Sequence, residues 1–370
     1  MNEAQMIEKA QNLIKENDFE FVRKIGSGGF GVVSKVKKDK KSYAIKVMFP
    51  NEKNKVYPEL VKEFRGKNLV KILYEKYPED QNYYFYVMEL SSIGSLSDFH
   101  KYLDKKLIFK DPFIEKIGDN LMRFFAIQMV NGLRTLFEGN LVHFDIKPAN
   151  VLIFKGLECK LIDFSLLRKL CPDKLGGVPG GTLGYFSPEY LKREGKMNDE
   201  IYKKQDYFAI GLTLFYLKYG EPAVTIPGCL RDKTKIKNMN ETEKNDLYYL
   251  YYKITLDCLL RAKNKIESQP FQDAEFNEFL LNLIQLDPDA RLDFEKIIRN
   301  NWLNKNKKEI EKIRNINISD EDNILIELQK SDFLIDNKKN YRKYFDEKIQ
   351  KDKENYKYIR KGKFKFGRKR

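Results

Sequence analysis

The sequence predicts an α+β fold in two lobes, a small β-rich lobe followed by a larger helical one, and three observations predict it. Between Phe19 and Met88, short runs of alternating polarity are broken by glycines and charged turns, the pattern of an antiparallel sheet. After Glu89 the pattern becomes long apolar segments at helical spacing: Leu121 to Phe137, Tyr207 to Tyr219, Tyr248 to Leu260 and Phe276 to Leu286. Past Trp302 the aromatic residues thin and charge rises, so the domain is expected to end near Leu303.

In chain order, Met6, Ala10, Leu13 and Ile14 at helical spacing make residues 4–16 a short amphipathic helix, and 1–18 an N-terminal extension. The domain over 19–303 follows, with its small lobe at 19–90 and its large lobe at 91–303. Phe19 to Met48 reads as a hairpin and a third strand, and Glu59 to Arg65 as a short helix. Two more strands end in Tyr83-Tyr84-Phe85-Tyr86-Val87-Met88. Residues 304–370 form a charged tail ending in a polybasic segment. Within it, Ser319-Asp320-Glu321-Asp322 ahead of Ile324, Leu325 and Leu328 fits a helix-capping box.

The composition sets the class. A chain of 370 residues with 42% hydrophobic and 33% charged residues is long enough to bury a substantial core. No apolar run approaches the ~18 residues that span a bilayer, and Met1-Asn2-Glu3-Ala4 has no secretory pattern, so a cytoplasmic location is expected. On the same ground Asn240-Glu241-Thr242, which fits the glycosylation pattern, is discounted. Cys159, Cys171, Cys229 and Cys258 have no metal-ligand spacing and suit a reducing compartment. Of the net charge of +15, about half sits in residues 356–370, which hold eight cations and no acid. That tail reads as a solvated segment, an anchor to an anionic membrane surface, or a nuclear-import signal. Sequence-specific nucleic-acid binding is not indicated.

One stretch carries chemistry. His143-Phe144-Asp145-Ile146-Lys147-Pro148-Ala149-Asn150-Val151 puts a carboxylate, an ammonium and an amide oxygen in a short loop before an apolar strand. Phosphoryl transfer needs that set: an acceptor for the hydroxyl proton, a cation near the moving phosphate, and an oxygen ligand for Mg²⁺. Ile25-Gly26-Ser27-Gly28-Gly29-Phe30-Gly31-Val32-Val33 is a glycine-rich loop whose N–H groups can approach phosphate oxygens. Strand residues rather than a helix follow it, which separates it from a dinucleotide fingerprint. Tyr43-Ala44-Ile45-Lys46 comes thirteen residues after Phe30.

These segments resemble the motifs of eukaryotic-type protein kinases. The loop at 143–151 is similar to H-R-D-x-K-P-x-N, with Phe144 at the Arg, which makes it a non-RD loop. Lys160-Leu161-Ile162-Asp163-Phe164-Ser165 is similar to the D-F-G segment, with Ser165 at the Gly. Gly181 to Glu189 ends in S-P-E where the family has A-P-E. Asp206 matches the buried Asp behind the catalytic loop, and Arg291 the partner of Glu189. The matches run in the family's order over about three quarters of the chain.

The resemblance implies the bilobal protein-kinase fold, ATP and Mg²⁺ as cofactors, and a protein substrate with a Ser/Thr acceptor. Lys147 and Thr182 look like the serine/threonine version of the site. Asp145 is then the proton acceptor, and Lys147 and Lys46 neutralise phosphate charge. Asn150 and Asp163 are the metal ligands. Ile25, Gly26, Ser27, Gly28, Gly29, Phe30 and Gly31 cover the nucleotide. Val33, Ala44 and Leu152 sandwich the adenine beside the gatekeeper Met88, and the backbone of Glu89 and Ser91 meets its edge. The acid that pairs with Lys46 is expected at Glu59, with Glu52 as the alternative, because Tyr57 occupies the family's position. Phe144 removes the arginine that receives a phosphorylated activation loop, and residues 166–181 contain no Ser, Thr or Tyr. Control by activation-loop phosphorylation is therefore not expected. Tyr57, Phe144 and Ser165 together support the alternative of a pseudokinase scaffold.

Overall fold

Alternate residues of the central strands of the N-terminal sheet enter different cores, and this alternation builds the first lobe. The computed structural model describes residues 3–28, 31–49, 66–76, 83–110, 114–170, 181–192, 198–268, 274–314 and 334–336. Strands β1 (Glu20–Gly28), β2 (Gly31–Lys38), β3 (Lys41–Met48), β4 (Ile72–Lys76) and β5 (Tyr84–Met88) form an antiparallel sheet in the order β1-β2-β3-β5-β4. Ala44, Met48, Tyr84, Tyr86 and Met88 join the large core shared with the second lobe, whereas Ile45, Val47, Phe85 and Val87 face the opposite side. That opposite side is covered by helix α1 (Glu3–Glu16), which buries Ala10, Leu13 and Ile14 against it. The helix read over residues 4–16 is thus present, and it completes the small lobe's outer core. The helix read at Glu59 to Arg65 and the capping box at Ser319 lie outside the described residues.

The second lobe is helical. Helices α2 (Leu96–Lys110), α3 (Asp119–Glu138), α4 (Asp199–Tyr219), α5 (Glu241–Glu267), α6 (Ala274–Leu283) and α7 (Lys307–Arg314) carry most of it. Each of the four apolar segments corresponds to one of these, but the last stops at Leu283 rather than Leu286, ahead of Pro288. Helix α2 escaped the sequence reading although its signal was present. Ser95 and Asp98 bond reciprocally, Asp98 Oδ2 accepting from Ser95 N–H at 2.9 Å and Ser95 Oγ from Asp98 N–H at 3.2 Å. That is a capping box. Asn240 likewise caps α5, its Oδ1 accepting from Glu243 N–H at 2.9 Å while Glu243 Oε2 accepts from Asn240 N–H at 2.7 Å.

Burial continues past Leu303, since Ile310 and Ile313 of α7 belong to the same core. Short strands complete the lobe: β6 (Gly94–Ser95), β9 (Val151–Ile153) and β10 (Cys159–Leu161) pair in the order β10-β9-β6, and β8 (Leu141–Val142) pairs with β11 (Arg168–Lys169). Strand β7 (Ile114–Ile117), just before α3, pairs with β12 (Leu334–Asp336) from the tail. No helix among the described residues is long and apolar enough to cross a membrane.

The lobes meet along residues 66–70. Val70 N–H donates to Leu161 C=O at 3.0 Å, and Leu161 N–H returns to Asn68 C=O at 2.9 Å. Buried Asn68 adds Nδ2 bonds to Gln128 Oε1 (3.1 Å) and Cys159 C=O (2.8 Å). Gly132 makes this approach feasible, because a Cβ there would lie 2.9 Å from both the Asn68 carbonyl and the Leu161 side chain. Strand β10, which precedes Asp163, is thereby tied to the small lobe.

Candidate active site

The loop at 143–151 is held from behind by one buried carboxylate. Asp206, on α4 and wholly buried, accepts from His143 N–H at 2.7 Å and Phe144 N–H at 2.9 Å, one on each oxygen. Burial pushes Asp206 up to about 7 even though both N–H bonds pull the other way. His143 donates Nε2–H to Ile162 C=O at 2.9 Å, which leaves Nδ1 to accept from Asp145 N–H at 3.2 Å. Burial lowers its pKa, so the ring is neutral in this arrangement. The loop is therefore fixed to both α4 and the strand leading to Asp163.

Asp145 sits at the centre of a closed polar set. Its Oδ1 accepts from Thr182 Oγ1–H at 2.7 Å, and its Oδ2 from Lys147 Nζ at 2.6 Å and Asn150 Nδ2 at 2.8 Å. Lys147 Nζ also reaches Thr182 Oγ1 at 2.7 Å. Asn150 spends its second amide proton on the Asp145 carbonyl at 2.8 Å, so both donors point inward. Its Oδ1 accepts no hydrogen bond from any described residue.

Across the cleft, Lys46 on β3 is buried and paired with Asp163 Oδ1. Asp163 adopts a left-handed backbone, φ 65° and ψ 68°. Burial raises its pKa, but the charge and hydrogen bond of Lys46, with a further bond from Ser165, outweigh it and hold the carboxyl below the usual range. Ser165 stays out of the positive-φ region, so the Cβ that replaces glycine introduces no backbone strain there. Glu59 and Glu52 lie outside the described residues, and so do Gly29 and Phe30. Asp163 is the acid that Lys46 meets among the described ones.

The residues expected to contact a flat ring lie on β1, β2, β3, β5 and β9. Ala44 and Met88 are adjacent across β3 and β5, and Val33 and Leu152 keep half-buried apolar faces, with Ile25 more exposed. The Glu89 side chain faces the protein, accepting from Lys71 N–H at 2.7 Å and from Lys160 Nζ at 2.9 and 3.0 Å. Ser91 Oγ faces it too, donating to Ile153 C=O at 2.5 Å and accepting from Gly94 N–H at 2.8 Å. The Glu89 carbonyl and the Ser91 N–H bond to no described residue, leaving one acceptor and one donor on the cleft edge. In β1, a Cβ at Gly26 or Gly28 would meet nothing within 4 Å, and neither has positive φ. Neither packing nor a turn calls for glycine there. Ser27 Oγ lies between them and donates to Glu3 of α1 at 2.5 Å.

Phe144 departs from the family pattern in a well-packed way. It is buried at φ 64°, with ring centroids 5.3 Å from Tyr202 and 5.8 Å from Tyr190. Below it, Glu189 and Arg291 form a bidentate pair at 2.7 and 3.0 Å, the guanidinium wholly buried. Sequence reasoning missed Thr182 as the bridge between Asp145 and Lys147, and Lys160 as the residue that turns Glu89 away from the cleft. The signals were a hydroxyl in the segment before Pro188-Glu189 and a lysine three residues before Asp163.

The donors suit a hard divalent cation. Asn150 Oδ1 and Asp163 Oδ2 both lack hydrogen-bond donors among the described residues. Mg²⁺ is typically held by one or two carboxylates together with substrate phosphates rather than by an all-protein cage. No cluster of three or more His, Cys, Asp or Glu that could hold a metal occurs among the described residues.

The family model for the protein kinase domain matches residues 19–303. The chain is 24% identical, over 78% of its length, to the serine/threonine-protein kinase PLK4 of Drosophila virilis, of which it spans 33%. It is 27% identical, again over 78% of its length, to mitogen-activated protein kinase kinase 10 of Arabidopsis thaliana, of which it spans 84%. It is also 27% identical to the serine/threonine-protein kinase atg1 of Dictyostelium discoideum, covering 40% of that protein.

Proposed function

The chain belongs to the protein kinase family, in its serine/threonine branch, and from that premise we propose that it transfers the γ-phosphoryl group of ATP, with Mg²⁺, to serine and threonine hydroxyls of other proteins. The observation that carries this reading is the closed set around Asp145, in which Lys147, Thr182 and Asn150 fix both carboxylate oxygens beside a Lys46–Asp163 pair.

Each residue then has a task. Asp145 takes the proton of the attacking hydroxyl, with Thr182 and Lys147 holding its carboxylate in register. Lys147 and Lys46 neutralise charge on the transferred and the anchoring phosphates. Asn150 Oδ1 and Asp163 Oδ2 would hold Mg²⁺, which would supply positive charge to offset the negative charge of the phosphates. The Glu89 carbonyl and the Ser91 N–H read the adenine edge, while Ile25, Val33, Ala44, Met88 and Leu152 contact its faces. Gly26 and Gly28 leave room for phosphate oxygens against the β1 backbone. Positioning and preorganised charge supply most of the acceleration. The experiment is phosphoamino-acid analysis of a generic protein substrate after incubation with γ-labelled ATP: label on serine or threonine is expected, and label confined to tyrosine would refute the assignment.

Control by activation-loop phosphate is absent on this reading. The support is Phe144 packed among Tyr190 and Tyr202 instead of a free guanidinium, together with a loop over 166–181 that lacks Ser, Thr and Tyr. Phosphatase treatment is expected to leave the rate unchanged, and mass spectrometry to find no stoichiometric phosphate between Leu166 and Gly181. A rate that collapses with phosphatase and returns on rephosphorylation would contradict this. On the same reading the chain acts in the cytoplasm, with the 356–370 segment on anionic membranes or in nuclear import. The role of that segment rests on its charge alone, because it lies outside the described residues.

A further inference from the structure

Three donors converge on a single oxygen of Asp163. Lys46 Nζ and Ser165 Oγ both bond to Oδ1, the latter at 2.7 Å, and the Ser165 N–H approaches the same atom at 3.4 Å. Oδ2 accepts nothing from any described residue. Exchanging the two oxygens would break the Ser165 and Lys46 bonds, so the geometry favours keeping Oδ2 as the open oxygen. The backbone reinforces this: Asp163 is left-handed at φ 65°, whereas Ser165 lies outside the positive-φ region. Glycine at position 165 would rotate freely through both halves of φ space; serine does not, because its Cβ disfavours half of it. The next residues begin a short helical turn, Phe164–Leu166, and Phe164 is buried with its ring edge-on to His143 at 5.8 Å.

We propose that Ser165 is a positioning residue that holds the Asp163 carboxylate with Oδ2 open to a metal ion as the resting state of the site. The inference rests on the transfer reading above and deepens it: a chain without a phosphate switch keeps its metal-binding carboxylate assembled by a hydroxyl built into the segment. Ser165 acts through Asp163, the residue its hydroxyl and N–H both address.

The test uses the full chain and requires no turnover. Binding of a non-hydrolysable ATP analogue is measured by calorimetry, first without metal and then across a Mg²⁺ titration. In Ser165→Ala the Mg²⁺ concentration at half-maximal enhancement is expected to rise about tenfold or more, the usual scale of a lost hydrogen bond to a charged group. Affinity for the analogue without metal is expected to match the wild type. Ser165→Thr, which keeps the hydroxyl, is expected to restore the wild-type midpoint, and Ser165→Gly to behave at least as poorly as alanine. An unchanged midpoint in Ser165→Ala, or a threonine variant no better than alanine, overturns the positioning role while leaving the transfer reading intact. A wild-type chain whose analogue binding is indifferent to Mg²⁺ overturns the transfer reading and the positioning role with it.

Discussion

Replacing Asp145 with asparagine is expected to lower the transfer rate by on the order of 10²–10⁴, the usual contribution of a positioned general base. The size follows from the geometry around the carboxylate. Asp145 accepts three side-chain hydrogen bonds, from Thr182, Lys147 and Asn150, all between 2.6 and 2.8 Å. An amide of the same shape keeps an oxygen for at most two of these donors and turns an NH₂ towards the rest, so it cannot take the hydroxyl proton. The loss is expected in kcat, with the KM for ATP changed little, because the role proposed for Asp145 is to take the acceptor's proton rather than to bind the nucleotide. Stability should fall far less than activity, since the loop remains tied through the Asp206 bonds to His143 and Phe144. A variant that retains most of the wild-type rate would remove Asp145 from the role assigned to it.

The second large effect is structural. Glu189→Ala is expected to destabilise the chain by about 3–5 kcal/mol, the range found when one partner of a buried ion pair is removed. Arg291 is fully buried, its charge neutralised by both Glu189 oxygens, with further bonds to the Gln285 and Lys204 carbonyls. Carbonyls satisfy its donors but not its charge. The double variant Glu189→Ala/Arg291→Met removes the charge as well and is expected to recover much of the loss. Urea denaturation of the four-member cycle checks this. A single variant within about 0.5 kcal/mol of wild type, the scale of an ordinary surface change, would show that the pair is not the anchor its geometry suggests.

Much of the site was legible because phosphoryl-transfer chemistry gathers it into contiguous stretches. Asp145, Lys147 and Asn150 lie within six residues of sequence, and the structure brings all three to one carboxylate. Lys46 and Asp163 are 117 residues apart, yet the one lies in and the other just after an apolar strand, and their side chains pair. What could not be read depends on side-chain direction. That Lys160 would clamp Glu89 rather than point to solvent follows from the pairing of residues 66–70 with β10, which no local pattern records. The hydroxyl of Ser165 became informative only once φ at that position was known to stay out of the positive region. Helix α2 was missed because its Ser95–Asp98 box is embedded in Ser91-Ser92-Ile93-Gly94-Ser95, which reads as a loop. The apolar face of α1 was visible, but its cover over Ile45 and Val47, on the strand that carries Lys46, required the sheet to be built first.

The most direct measurement is phosphate transfer from γ-labelled ATP by the purified full chain to generic acidic and basic protein substrates, with and without Mg²⁺, beside Asp145→Asn. Mg²⁺-dependent label on the substrate, lost in the variant, is the predicted result. Mg²⁺-dependent ATP binding with no transfer by the wild type, or transfer that persists in Asp145→Asn, would contradict the account; the first outcome would make the chain a nucleotide-binding scaffold built on a kinase fold.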